Sequence, residues 1–303
     1  MASDYFNRPA RILITGANGQ VGRELVGQAG ADVFFDVIGL TRRQLDITDT
    51  AKIRQQLEQH RPDYVINCAA FNRADAAQKQ REYCMRVNAE ALQQLASACA
   101  ELDIPLIHLS TDYVFDGHYA SGYRENDAVR PLGVYGDSKW QGEELLRQAH
   151  ARHIILRVSW VFSGSGHNFL IRTLEQARTE VELVSVDDRR GCPTAATDVA
   201  RVVLAIVKQL TCGADAWGTY HYCGAEITTR YAFSEAIIAT ASQYEALKVE
   251  RLTPVASKNF PTEAERPASS VLKCTKLLST FGIRQRPWRG ELVSLVRQLY
   301  ERF

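Results

Sequence analysis

The sequence predicts an α/β protein with a Rossmann-type doubly wound parallel sheet and a smaller C-terminal substrate-binding region. Three observations carry this. Short β-branched runs alternate with longer stretches of helical period through the first half. A glycine-rich turn, Gly16 to Gly22, lies between the first strand and the first helix. At 303 residues, the chain is long enough for a large nucleotide-type domain with a smaller companion.

Ile12 to Thr15 reads as the first strand and Gly19 to Ala29 as its helix. Val37 to Leu40 reads as the second strand, followed by a helix within Asp49 to His60. Tyr64 to Asn67 is a near-continuous apolar run, as expected of a strand covered on both faces. From Glu82 to Leu102, apolar residues at Val87, Ala91, Leu92, Leu95 and Cys99 have helical spacing. Leu106 to Leu109 and Ile154 to Val158 are the fourth and fifth strands, with a helix from about Ser138 to His150 between them. In the less regular second half, Val199 to Leu210 reads as a helix and Thr219 to Tyr222 as a strand, both candidates to return to the main sheet. Thr253 to Pro267 holds three prolines and reads as an ordered loop over a ligand or a domain seam.

Composition excludes several function classes. Hydrophobic residues make up 46% and charged residues 23%, an ordinary globular balance. The formal net charge is +1, so bulk electrostatics recruits neither nucleic acid nor an anionic membrane. The seven cysteines are scattered without a Cys-x-x-Cys pair, which argues against a disulfide framework or zinc site. Met1 to Pro9 lacks a signal-peptide apolar core, and no run approaches the ~20 apolar residues of a membrane span. A cytoplasmic location is expected.

In the turn Thr15-Gly16-Ala17-Asn18-Gly19-Gln20-Val21-Gly22, Gly16 makes the bend and Gly19 lets backbone approach a pyrophosphate. Gly22 allows close helix–strand packing, and the phosphates would sit on the helix N-terminus. An acidic residue about 20 residues past the glycines would select a ribose 2′-hydroxyl, and an Arg a 2′-phosphate. Here the stretch is Leu40-Thr41-Arg42-Arg43, so NADPH is the expected cofactor through Arg42, with NADH still usable. A plain structural turn and two solvated arginines are the bland alternatives. Residues 1–165, with 195–225 returning to them, then form the NADP(H)-binding domain; 166–194 and 226–303 form the substrate-binding region.

Tyr135 and Lys139 are four apart and share a helix face. A free phenol titrates near ~10, and a cation at its side favours the phenolate. Lowering that value by ~2 units needs about 2.7 kcal/mol of differential stabilisation. Alone the spacing is weak. Ser110-Thr111-Asp112 at the carboxyl end of the fourth strand, where open α/β sheets place ligands, supplies hydroxyls to orient a carbonyl.

The glycine turn, the Ser-Thr-Asp strand end and Tyr-x-x-x-Lys in this order resemble the extended short-chain dehydrogenase/reductase superfamily. Within it the chain is most similar to the dTDP-4-dehydrorhamnose reductase family, from Arg11 to the C-terminus. Ser110 to Phe115, Tyr135 to Lys139, Ser159 to Phe162 with Asn168-Phe169, and Arg266-Pro267 are the most specific stretches. The resemblance implies hydride transfer from NADPH to the 4-keto group of a dTDP-6-deoxy-hexulose, giving dTDP-L-rhamnose or a close relative for surface polysaccharide. It makes Thr111, Tyr135 and Lys139 the catalytic set. Gly19, Gln20, Val21, Asp46, Ile47, Ala69, Ala70, Phe71 and Asn72 become cofactor contacts, joined by Lys139 at the nicotinamide ribose. Asp112 and Trp160 fall on sugar-binding positions, and Asn168 and Arg266 on positions inferred to contact nucleotide or sugar. Trp160 as core and Arg266 as a surface ion-pair partner are the plainer readings, and Asn88 reads as structural.

Three departures from the family pattern bear on these expectations. Thr41 replaces an acid seen in members that also use NADH. Gln78 stands where Glu is usual. Thr197 stands where a carboxylate would be needed for the Mg²⁺ that some members bind at a dimer seam, although Glu24 is present. This argues against a metal-linked dimer and leaves a simple homodimer open. Two rivals remain: a sugar-nucleotide epimerase or dehydratase, which Asp112 beside Thr111 keeps open, and a non-catalytic regulatory subunit resembling the methionine adenosyltransferase β subunit.

Overall fold

The computed structural model describes residues 8–301; most of the polar stretch Met1 to Pro9 lies outside them. The central sheet has six parallel strands: β1 (Ala10–Thr15), β2 (Phe35–Leu40), β3 (Tyr64–Asn67), β4 (Leu106–Thr111), β5 (His153–Val158) and β6 (Gly218–Tyr222). Their spatial order is β6-β5-β4-β3-β1-β2. The order reverses between β1 and β3, where Thr15 is paired with Asn67 at the carboxyl edge. A crevice opens at such a reversal, and open α/β sheets bind ligands there.

Alternation along the strands explains why both faces are covered. Ile12, Ile14, Ile66, Ile154 and Leu156 enter one core with the buried face of the Ala196–Thr211 helix. Leu13, Val65, Leu106 and Ile155 enter the other, against Leu92, Leu95 and Cys99 of the Ala91–Glu101 helix. Local chemistry sets the helix ends: Asp49 Oδ1 accepts from Lys52 N at 3.0 Å and caps the Thr50–His60 helix, which closes on left-handed Arg61.

Three elements differ from the sequence expectation. The helical stretch from Glu82 is broken by a π-helical turn at Arg86–Glu90, which spacing alone cannot distinguish from a regular helix. The helix after β4 begins at Val134, not Ser138. The Thr253 to Pro267 segment starts within a strand, Arg251–Val255, paired in parallel with Glu182–Val186. Pro254 fits because this two-stranded ribbon consists only of edges.

The second half has its own core, where Phe162, Leu170, Phe233, Trp288 and Leu292 pack together. It meets the sheet beyond the carboxyl ends of β4 and β5. Among the described residues no helix is long and apolar enough to cross a membrane.

Candidate active site

The glycine turn sits at the sheet reversal and has no room for a side chain at Gly16 or Gly22. Gly16 has φ +64°, and a Cβ there would lie 2.7 Å from Ala69 N; one on Gly22 would lie 2.3 Å from Gly16 O. No side chain caps the Gln20–Gly30 helix, so the N–H groups of its first turn are available to an anion. The side chains of Val21 and Ile47 are buried in the two cores. Gln20 Oε1 accepts from Ser163 Oγ at 2.9 Å and ties the turn to the second half.

At the end of β2, Arg42 is exposed but held, donating to Asp46 Oδ2 at 3.1 Å and to the Tyr83 hydroxyl at 2.7 Å. Asp46 is itself fixed by Thr48, which donates from both N and Oγ1. After β3, the Phe71 backbone is clamped by Asn88: Oδ1 accepts from Phe71 N at 2.8 Å, and Nδ2 donates to Phe71 O at 2.9 Å. Ala69, Ala70 and Asn72 flank this clamp, which agrees with a structural role for Asn88. Backbone cradle, first-turn N–H groups and tethered guanidinium together fit a dinucleotide carrying an extra phosphate.

Thr111, Tyr135 and Lys139 come together at the carboxyl end of β4. Thr111 and Asp112 are buried, and Thr111 Oγ1 donates to Asp112 Oδ1 at 3.0 Å while accepting from Tyr113 N. Asp112 also accepts from Ser159 Oγ at 2.9 Å; burial pushes its carboxyl up, and these hydroxyls oppose that. The Tyr135 phenol lies beside Thr111, and its ring meets Tyr113 edge-on at 5.8 Å. Ser138 locks this helical turn, donating to Tyr135 O and accepting from Asn88 Nδ2.

The expectation that Lys139 lowers the phenol is not met in this arrangement. Burial dominates and pushes Tyr135 up, with only the Thr111 hydroxyl opposing it among the leading causes. Lys139 Nζ lies instead on β4, 2.9 Å from His108 Nε2 and 2.8 Å from Leu109 O. A phenol held in its neutral form is a competent proton donor. Behind it, fully buried Glu143 is paired with Arg157 at 2.6 Å and with Arg147 at 2.7 Å, and these cations hold its carboxyl down against burial.

Beyond Tyr135, a narrow cleft runs between the catalytic helix and the loop at Ala264 to Pro267. That loop is therefore one wall of the site. Arg266 is pinned to it, donating to Asp75 Oδ2 at 2.7 Å and to Ala264 O. Three arginines that sequence reasoning missed share its electrostatic environment: Arg172, Arg189 and Arg230. Burial and mutual repulsion lower all three, and Arg230 is pulled down to about 10. The Arg230 guanidinium stacks 3.6 Å above the Trp160 ring, and Trp160 itself has φ +46°. A non-glycine residue at that φ stores strain, which concentrates at ligand sites. Trp160 is thus a platform for a cation at the rim. Asn168 instead caps the Phe169–Thr179 helix: Oδ1 accepts from Ile171 N, and Nδ2 donates to Ser163 O and Ser165 O.

The family model for the RmlD substrate binding domain matches residues 10–301. A dTDP-4-dehydrorhamnose reductase of Sinorhizobium fredii is 36% identical over 288 residues, covering 94% of this chain and 96% of that protein. The Escherichia coli K12 protein of the same name is 33% identical over 293 residues, covering 95% and 98%. Among solved structures, a dTDP-4-dehydrorhamnose reductase from Clostridium acetobutylicum superposes with TM-score 0.88 at 33% identity, covering 95% and 99% of the two chains. The Bacillus anthracis reductase in complex with NADP gives 0.87 at 30% identity, covering 96% and 99%.

Proposed function

Because the chain belongs to the dTDP-4-dehydrorhamnose reductase family, we propose that it reduces the 4-keto group of a dTDP-6-deoxy-hexulose with NADPH, supplying a deoxysugar nucleotide for surface polysaccharide. The observation that carries this is the buried Thr111 hydroxyl beside the neutral Tyr135 phenol, at the same sheet edge as the glycine turn. NADPH supplies the hydride. The cradle of Gly16, Gly19 and Gly22 receives its pyrophosphate on backbone N–H groups, and Arg42 takes the 2′-phosphate.

Thr111 holds the ketone oxygen and places its carbon for attack. As negative charge develops on that oxygen, Tyr135 hands over its phenolic proton. An alkoxide is far more basic than a phenolate, so the transfer runs downhill even from a phenol that burial has raised. Lys139, in its ammonium form, offsets the phenolate left behind and holds the cofactor ribose.

Arg172, Arg189, Arg230 and Arg266 come from four segments; Asp75 and Asp112 face this cluster, and Asp188 and Glu265 face Arg189. The diphosphate of a nucleotide sugar is the anion that suits them. Trp160 supplies a flat apolar face next to Arg230 for the sugar or base.

The test is oxidation of NADPH, followed by absorbance, with enzymatically made dTDP-4-dehydrorhamnose and identification of the product. Tyr135→Phe is expected to bind NADPH normally and lose roughly 100-fold to 10,000-fold in turnover. Near-wild-type turnover in that variant would remove Tyr135 as donor. NADPH binding without consumption across several 4-keto nucleotide sugars would favour the regulatory-subunit alternative.

A further inference from the structure

Lys139 is the buried end of a hydrogen-bonded chain whose direction can be read from its other end. Ala69 N, a backbone donor, points at Asn67 Oδ1 at 3.2 Å, and Thr15 Oγ1 lies 2.6 Å from the same oxygen. A main-chain N–H can only donate, so this contact fixes which way the Asn67 amide faces. Asn67 Nδ2 must then donate to His108 Nδ1, at 3.0 Å. A ring nitrogen that accepts carries no proton, so neutral His108 carries its proton on Nε2. Nε2 lies 2.9 Å from Lys139 Nζ. With Nε2–H donating, Lys139 Nζ must accept, and only the neutral amine has a lone pair for this. Its own hydrogen goes to Leu109 O at 2.8 Å. Thr15, Asn67, His108 and Lys139 are all buried, so water does not relieve the constraint.

We propose that Asn67 and His108 are positioning residues that hold Lys139 as a neutral amine while it rests on His108, and that NADPH binding draws Lys139 off His108 with uptake of one proton from solvent. The inference rests on the NADPH-dependent reading of the site, in which Lys139 acts as a cation.

The groups facing this pair permit the switch. Burial pulls Lys139 down to about 8, so the neutral amine prevails above that pH, and holds His108 well below the ordinary imidazole range. Glu143, one turn further along the helix, favours the ammonium, but its charge is engaged by Arg157, Arg147 and Ser110. Cys84 and Cys68 also face Lys139. Burial raises both thiols, Cys68 to about 12, so they stay neutral. His153 faces His108 and disfavours a second imidazolium charge.

The test is calorimetric titration of NADPH into the protein at about pH 9, in buffers of different ionisation enthalpy. The 2′-phosphate, with a second pKa near ~6, is fully ionised there and contributes no proton. The wild-type protein is expected to take up close to one proton per bound NADPH. In Asn67→Asp, the new carboxylate accepts from Ala69 N–H, Thr15 and His108 Nδ1–H. Nε2 then becomes an acceptor for a charged Lys139, and uptake is expected to fall to near zero with NADPH still bound. Lys139→Met gives an independent reading and should also abolish uptake. NADPH binding without proton uptake by the wild type, or uptake persisting in either variant, would overturn the inference alone. Failure of the wild type to bind NADPH would overturn the reductase reading together with it.

Discussion

The glycine turn and the arginine cluster are built on opposite principles. At the glycine turn the groups that would face a ligand are main-chain N–H groups, positioned by one short segment whose residues are defined by what they lack. In the arginine cluster they are side-chain charges from Arg172, Arg189, Arg230 and Arg266, which only the folded second half brings into one field. A backbone cradle depends on local conformation, so one added methyl destroys it. A charge cluster is distributed, so removing one member weakens it in proportion.

The largest expected effect is at the cradle. Gly22→Ala puts a Cβ 2.3 Å from Gly16 O, and backbone must move. The NADPH dissociation constant is expected to rise about 100-fold or more, and overpacking should cost about 1–3 kcal/mol in stability. Binding of dTDP, measured separately by calorimetry, should be nearly unchanged. Equal losses for both ligands would break the comparison by showing that the two regions are one coupled site.

Next in size is Arg230→Met, which keeps apolar contact with Trp160 and removes the charge. One charge-assisted hydrogen bond is worth about 1.5–3 kcal/mol, so affinity for dTDP should fall about 10-fold to 100-fold with NADPH affinity unchanged. If dTDP binds the variant as tightly as the wild type, the arginine cluster does not hold the diphosphate.

The smallest effect is expected at Arg42, an exposed side chain in the role proposed for it at the 2′-phosphate. Arg42→Ala should narrow the preference for NADPH over NADH by about tenfold, read from the two Michaelis constants. An unchanged ratio would assign phosphate recognition to another group.

The same contrast governs what the sequence discloses. Ile12 to Thr15, Tyr64 to Asn67 and the Gly16 to Gly22 turn are legible because strand period and glycine spacing are local properties. The pair of Tyr135 and Lys139 is legible for the same reason, but Lys139's engagement with His108 is not, since His108 reads only as one more residue of β4. Arg172 sits four residues after Asn168 and Arg230 follows the Thr228–Thr229 strand. Neither spacing shows that the two share a site across 58 residues of chain, and only tertiary packing does. The π turn at Arg86–Glu90 is hidden because one inserted residue barely perturbs a helical apolar pattern, yet it places Asn88 to clamp Phe71 and Ser138.

The most direct test of the central claim is a single turnover with NADPH carrying deuterium at the transferable C4 position and dTDP-4-dehydrorhamnose as acceptor. Deuterium found at C4 of the sugar, with Tyr135→Phe slowing its arrival, is the predicted result. Consumption of the keto sugar with no deuterium at that carbon would contradict it.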